Sequence, residues 1–165
     1  MENKIKNDLR MDKRLRAVFG EIDLGSVTSS PADTREGILA EQESEEAKQI
    51  KAITTMVSNS PHFKELVPET GLVTTTKEFI SQPDGNRIKI QYIRPDTDEE
   101  LPCVYYIHGG GMMIYSCFDE MYAAWGRCIA RQGVAVAMVD FRNAMWESSA
   151  PEIEPFPAGL NDCVS

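Results

Sequence analysis

The chain has 165 residues, of which 17 are Lys or Arg and 26 are Asp or Glu, for a formal net charge of −9. So acidic a surface repels phosphate backbones and anionic lipid headgroups, which argues against a nucleic-acid or membrane-surface role. The length suits one domain yet falls short of the roughly 200–250 residues that α/β enzymes with large parallel sheets commonly need, and 42% hydrophobic with 26% charged residues is an ordinary globular composition.

Cys103, Cys117, Cys128 and Cys163 form no C-x-x-C pair, and His62 and His108 are the only histidines. No zinc ligand set can be put together from them, so no metal or organic cofactor is expected. Free thiols fit a reducing cytoplasm. Met1 to Arg16 is dominated by charged and polar residues rather than by a signal segment, and no apolar run approaches the roughly 18 residues that cross a bilayer.

From Met1 to about Val67 the pattern is helical. Ile5, Leu9, Leu15, Val18, Phe19 and Ile22 recur at helical spacing among charged residues. Gly25 to Pro31 then breaks the stripe. A second helix is predicted with Asp33 as N-cap and Glu36 three residues on, close to a capping box. Its apolar face is Ile38, Leu39, Ala47, Ile50, Ile53 and Val57, and Glu41, Glu43, Glu45 and Glu46 read as a solvated acidic face.

Leu72 to Arg94 reads as a β-hairpin. Val73 to Ile80 is β-rich, and Ile88, Ile90 and Tyr92 alternate with polar residues. Pro83-Asp84-Gly85-Asn86 between them is turn chemistry, Asp-Gly supplying the positive φ angles of a tight hairpin. Val104 to Ile107 and Val134 to Val139 are continuous apolar runs, the pattern of strands covered on both faces of a parallel sheet. Asp119 to Gln132 supports a helix between them, with Met121, Ala124, Trp125, Cys128 and Ile129 on one face and Gly133 at its C-terminal cap. A hairpin followed by a strand–helix–strand crossover makes the fold class α/β. A further helix is predicted to start at Pro157.

The residues that speak to chemistry are His108-Gly109-Gly110-Gly111-Met112-Met113, directly after a buried strand. Successive glycines expose backbone N–H groups with no side chain in the way. Such a loop serves either phosphate cradling or an oxyanion hole. The dinucleotide fingerprint G-x-G-x-x-G fails here, because Ile114 stands where its third glycine belongs, although Asp140 is placed about where a ribose-binding acid would sit.

Three segments in order, Tyr106-Ile107-His108-Gly109-Gly110-Gly111, Val139-Asp140-Phe141-Arg142 and Pro155-Phe156-Pro157-Ala158-Gly159-Leu160-Asn161-Asp162, resemble the hormone-sensitive-lipase-like carboxylesterases of the α/β-hydrolase fold. The resemblance covers Leu72 to Ser165 firmly, and implies a helical cap segment over residues 1–70 and the N-terminal part of the hydrolase domain over residues 71–165. It implies that the N–H groups of Gly110 and Gly111 form half of an oxyanion hole, each donor worth about 2.7–4 kcal/mol of barrier. His108 would brace the loop, with Gly109, rather than act as base. Asp140 and Arg142 would organise the loop before the next helix, and Met112 and Met113 would shape the substrate pocket. The chain departs from the family by inserting Asn143 to Ala150.

No serine lies in G-x-S-x-G, and no Ser-His-Asp triad can be assembled. The expectation is therefore the N-terminal portion of a serine carboxylesterase, inactive alone, with a small carboxylic ester as the whole protein's partner and a homodimer as its assembly. A non-catalytic small-molecule receptor on the same scaffold is the alternative from another class, with a nucleotide-binding βαβ unit behind it. The coding frame beyond Ser165 separates the first two. Truncation before the nucleophile strand would leave the strand ending at Ile107 with an exposed apolar edge.

Overall fold

The structure, a computed structural model, describes residues 7–11, 13, 16 and 32–165. The helical stripe through Ile5, Leu15, Val18, Phe19 and Ile22 and the break at Gly25 to Pro31 lie outside the described residues; Leu9 lies in a turn and is exposed. By its internal contacts the chain divides into two compact units, Met1–Glu41 and Gln42–Ser165.

In place of one long helix after Asp33 there are two, α1 (Arg35–Gln42) and α2 (Glu45–Ser58). At the start of α1 it is Thr34, not Asp33, whose hydroxyl accepts the Gly37 N–H at 3.1 Å. Ser44 separates the two helices. Its backbone is extended (φ −65°, ψ 153°) and its Oγ accepts the Ala47 N–H at 3.1 Å, so it starts α2 as an N-cap and cannot continue α1. Ile50, Ile53, Met56 and Val57 of α2 are exposed, and Ser58 is the buried residue, so the expected core face is not the one that packs inward. A short α3 (His62–Leu66) follows.

The second unit carries a four-stranded mixed sheet in the order β1 (Leu72–Ile80), β2 (Arg87–Pro95), β4 (Ala135–Asp140), β3 (Cys103–Ile107). β1 and β2 form the expected antiparallel hairpin, with Phe79 opposite Ile88 and Thr75 opposite Tyr92. Gly85 turns the hairpin loop at φ +76°. β2 then pairs antiparallel with β4, while β3 pairs parallel with β4, Tyr106 opposite Met138. The crossover helix α4 (Glu120–Ala130) joins β3 to β4, and Gly133, at φ +85°, closes its C-terminal turn.

The buried face of α4 differs from the expected one. Ala123, Ala124, Gly126, Arg127 and Ala130 face inward, while Trp125 is exposed. Gly126 explains this: a Cβ there would stand 2.4 Å from Met138 Sδ and 2.9 Å from Ile93 Cδ1, so only glycine lets the helix sit this close to the sheet. Small residues line the close approach, and the bulkier Met121, Trp125 and Cys128 border an apolar groove with Phe63 and Leu66 of α3. Two buried clusters hold the unit together: Ile93, Cys117, Ala130, Val136 and Met138 form one, and Ile88, Val139, Phe141 and Cys163 the other. Among the described residues β3 is an edge strand, and Val104, Tyr105 and Ile107 are exposed along it. The last helix, α5 (Ala158–Val164), begins after Pro157, as predicted.

Candidate active site

β3 delivers His108 to the C-terminal end of the sheet, next to the end of β4 at Asp140. The His108 side chain is fully buried. Its ring stacks on Phe141 at 4.3 Å and 8° and lies tilted against Tyr122 at 5.2 Å. Nδ1 donates to the Gly109 carbonyl at 2.8 Å, which fixes the proton on that nitrogen in the neutral ring. Nε2 then faces Asp140 Oδ1 at 4.0 Å, without a hydrogen-bond partner. Burial pushes the imidazole below its ordinary range, against the opposing pull of the Gly109 bond and the Asp140 charge.

The glycine loop is bent in a way only glycine tolerates at its centre. Gly110 has φ +117°, and a Cβ there would meet the Ile114 carbonyl oxygen at 2.3 Å and the Tyr115 ring at 3.0 Å. Gly111 (φ +66°), Met112 (φ +56°) and Tyr115 (φ +75°) are also left-handed. Gly110 accepts the Met113 N–H at 3.1 Å, which closes the turn. Among the described residues, neither the Gly110 nor the Gly111 N–H donates a hydrogen bond within the chain.

Asp140, fully buried, ties this loop to the segment after β4. Its Oδ1 accepts from Ser116 Oγ at 2.6 Å and from the Cys117 N–H at 2.8 Å, and its Oδ2 accepts from the Ser149 N–H at 2.6 Å. Arg142 reaches the other way. Its backbone N–H and Nε donate to Asp162 Oδ2 at 2.9 and 3.0 Å, Nη2 donates to Asp162 Oδ1 at 2.8 Å, and Nη1 pairs with Asp84 Oδ2 at 2.7 Å. Asp162 holds the guanidinium well above its already high ordinary range, and Asp84 adds to this. Ser81 Oγ also donates to Asp162 Oδ1, at 2.5 Å. The hairpin turn, β4 and α5 thus meet at one buried carboxylate. The part of Asp84 was invisible in the sequence, where it read only as a turn residue.

Met112 and Gly111 line a cavity of about 200 Å3 together with Arg142, Ala144, Phe156 and Leu160. Met113 is not part of that lining; its exposed side chain ends beside Gly111. The apolar groove beside α4, about 340 Å3, contains no residue of the glycine loop. Among the described residues no group of three or more His, Cys, Asp or Glu side chains is placed to hold a metal ion, and no helix is long and apolar enough to cross a membrane.

Comparison with solved structures places this geometry. Esterase Est22 superposes on the whole chain with a TM-score of 0.91 and 50% identity, the match covering 47% of Est22. Brefeldin A esterase, described as a bacterial homologue of human hormone-sensitive lipase, matches 83% of the chain with a TM-score of 0.64 and 31% identity over 36% of its own length. The chain resembles part of a hormone-sensitive-lipase-like esterase. Its four-stranded mixed sheet with flanking helices is part of the α/β-hydrolase fold of that family. Among curated proteins, gut esterase 1 of Caenorhabditis elegans is 35% identical over 65 residues, 39% of this chain and 12% of that protein. No protein-family model matches the chain. The chain spans about half the length of the Est22 structure it matches.

Proposed function

We propose that this segment supplies the oxyanion side of a carboxylic ester hydrolase. The observation that carries the reading is the pair of unengaged N–H groups at Gly110 and Gly111, held at the C-terminal end of β3 by a loop that requires glycine. In ester cleavage a nucleophile adds to the carbonyl carbon, the carbonyl oxygen takes the negative charge, and the charge returns when the alkoxide leaves. Two backbone N–H donors aimed at that oxygen stabilise the charged intermediate more than the neutral ester, which is what lowers the barrier. His108 and Gly109 brace the loop, Asp140 and Arg142 anchor its supports, and Met112, with Met113 at the rim, shapes the pocket beside it.

The nucleophile, acid and base are no part of these 165 residues, since no serine sits in G-x-S-x-G. Alone, the chain is inactive. The same reading takes residues 1–70 as a cap segment and residues 71–165 as the start of the hydrolase domain. It takes a small carboxylic ester, and no nucleic acid, as partner of a cytoplasmic enzyme, in keeping with the −9 charge and four unpaired cysteines. A homodimer is carried by the family resemblance alone.

The test is a chimera in which this chain replaces the matching 47% of Est22. It should hydrolyse p-nitrophenyl acyl esters, and the isolated chain should not exceed background. A folded but inactive chimera, or turnover by the isolated chain, would contradict the reading.

A further inference from the structure

The inserted segment after Arg142 runs back across the glycine loop. The Ala144 N–H donates to the Met112 carbonyl at 3.0 Å, and the Met145 and Trp146 N–H groups both donate to the Met113 carbonyl, at 3.1 and 3.0 Å. Asn143 is fully buried, and its Nδ2 donates to the Tyr115 carbonyl at 2.6 Å. Its Oδ1 is buried without a partner, so the amide is oriented by that donor bond. Its own carbonyl accepts the Glu154 N–H at 3.1 Å, which fixes the backbone that carries it.

The residue Asn143 grips is the one that bounds Gly110. The Tyr115 ring stands against Gly110, close enough that a Cβ would meet it at 3.0 Å, and is wedged edge-on between Tyr122 (5.8 Å) and Trp146 (6.2 Å). Tyr115 is also left-handed, a conformation that a bulky residue keeps only when its surroundings over-determine it. The amide of Asn143 is one such determinant and the Trp146 ring another.

We propose that Asn143 is a positioning residue for ester cleavage: by holding the Tyr115 carbonyl it keeps the Tyr115 ring against Gly110 and so sets the direction of the Gly110 and Gly111 N–H groups. This rests on the reading that those two groups receive the oxyanion. Donors aimed at a developing charge lose effect when displaced by about 1 Å, a displacement that can lower the rate about a hundredfold.

Two measurements test it. In the 165-residue chain, Asn143→Asp keeps the shape but turns a donor into an acceptor facing the Tyr115 carbonyl. The amide NMR signals of Gly110, Gly111 and Tyr115 should shift and exchange faster, while those of α4 stay in place. In the Est22 chimera, Asn143→Asp and Tyr115→Ala should each lower kcat about a hundredfold with KM little changed. Ser58→Ala, which removes a buried hydroxyl of α2, should lower stability without lowering kcat. A folded Asn143 or Tyr115 variant with wild-type kcat, or unmoved Gly110 and Gly111 signals, overturns the proposal. Gly110→Ala separates it from the reading beneath: if that variant also keeps full kcat, the oxyanion reading itself fails.

Discussion

Arg142 and Asp162 are joined by three N–H donors, one of them from the Arg142 backbone, with both side chains buried. Twenty residues apart in sequence, they lock α5 to the end of β4. Removing one partner of a buried pair typically costs about 3–5 kcal/mol, and the Asp84 carboxylate that stays on Arg142 Nη1 holds the loss toward the lower end. Asp162→Ala should lower the unfolding free energy by about that much in urea titration. Arg142→Lys should also destabilise, because a lysine cannot reproduce the planar fork that meets both carboxylate oxygens.

His108 gives the fold a pH dependence with a definite sign. Burial lowers its pKa in the folded state below the ordinary 6.5 of the unfolded chain. Above that value both states hold the neutral ring, and its contribution to stability is complete. As the pH falls through 6.5 the unfolded chain takes up a proton that the folded chain resists, so stability declines until the folded pKa is reached. Urea midpoints measured between about pH 5 and 7.5 should fall toward the acid end. His108→Gln should flatten that part of the profile; an unchanged slope would assign it to other groups.

Thiol reactivity should divide by burial. Cys103 is exposed, whereas Cys117 and Cys163 are buried. Desolvation pushes the Cys163 thiol up to about 11 and the Cys117 thiol higher still. The thiolate is the reactive form. Cys103 should therefore label first with a disulfide reagent at neutral pH, and Cys117 only on unfolding, as peptide mapping after timed labelling would reveal.

The fold was legible where local chemistry and burial agree. The apolar runs ending at Ile107 and Val139, the helix between them and the His108-to-Gly111 loop gave β3, β4, α4 and the site's position; the expected cover on both faces holds for β4, whereas β3 is exposed along most of its length. What escaped depended on partners distant in sequence. Asp84 looked like a hairpin residue, yet it reaches Arg142, and only the folded turn brings the two together. Asn143 and Tyr115 carried no signal at all, since an amide gripping a backbone carbonyl leaves no spacing pattern. On α4 the hydrophobic count favoured Trp125, but close packing through Gly126 decided which face turned inward.

The open edge of β3 has its own consequence. Val104, Tyr105 and Ile107 are exposed along a strand paired on one side only, among the described residues. Such an edge invites strand-to-strand association, and a lysine on it opposes pairing. The isolated chain should therefore self-associate with rising concentration in light scattering, and Val104→Lys should reduce this. Equal association of the two would place the sticky surface elsewhere.

The most direct test of the oxyanion assignment is the structure of the Est22 chimera carrying a covalent phosphonate adduct, whose phosphoryl oxygen stands in for the oxyanion. That oxygen should lie about 2.7–3.1 Å from the backbone nitrogens of both Gly110 and Gly111. An oxygen bound by other donors, with those two N–H groups turned away, would contradict the account.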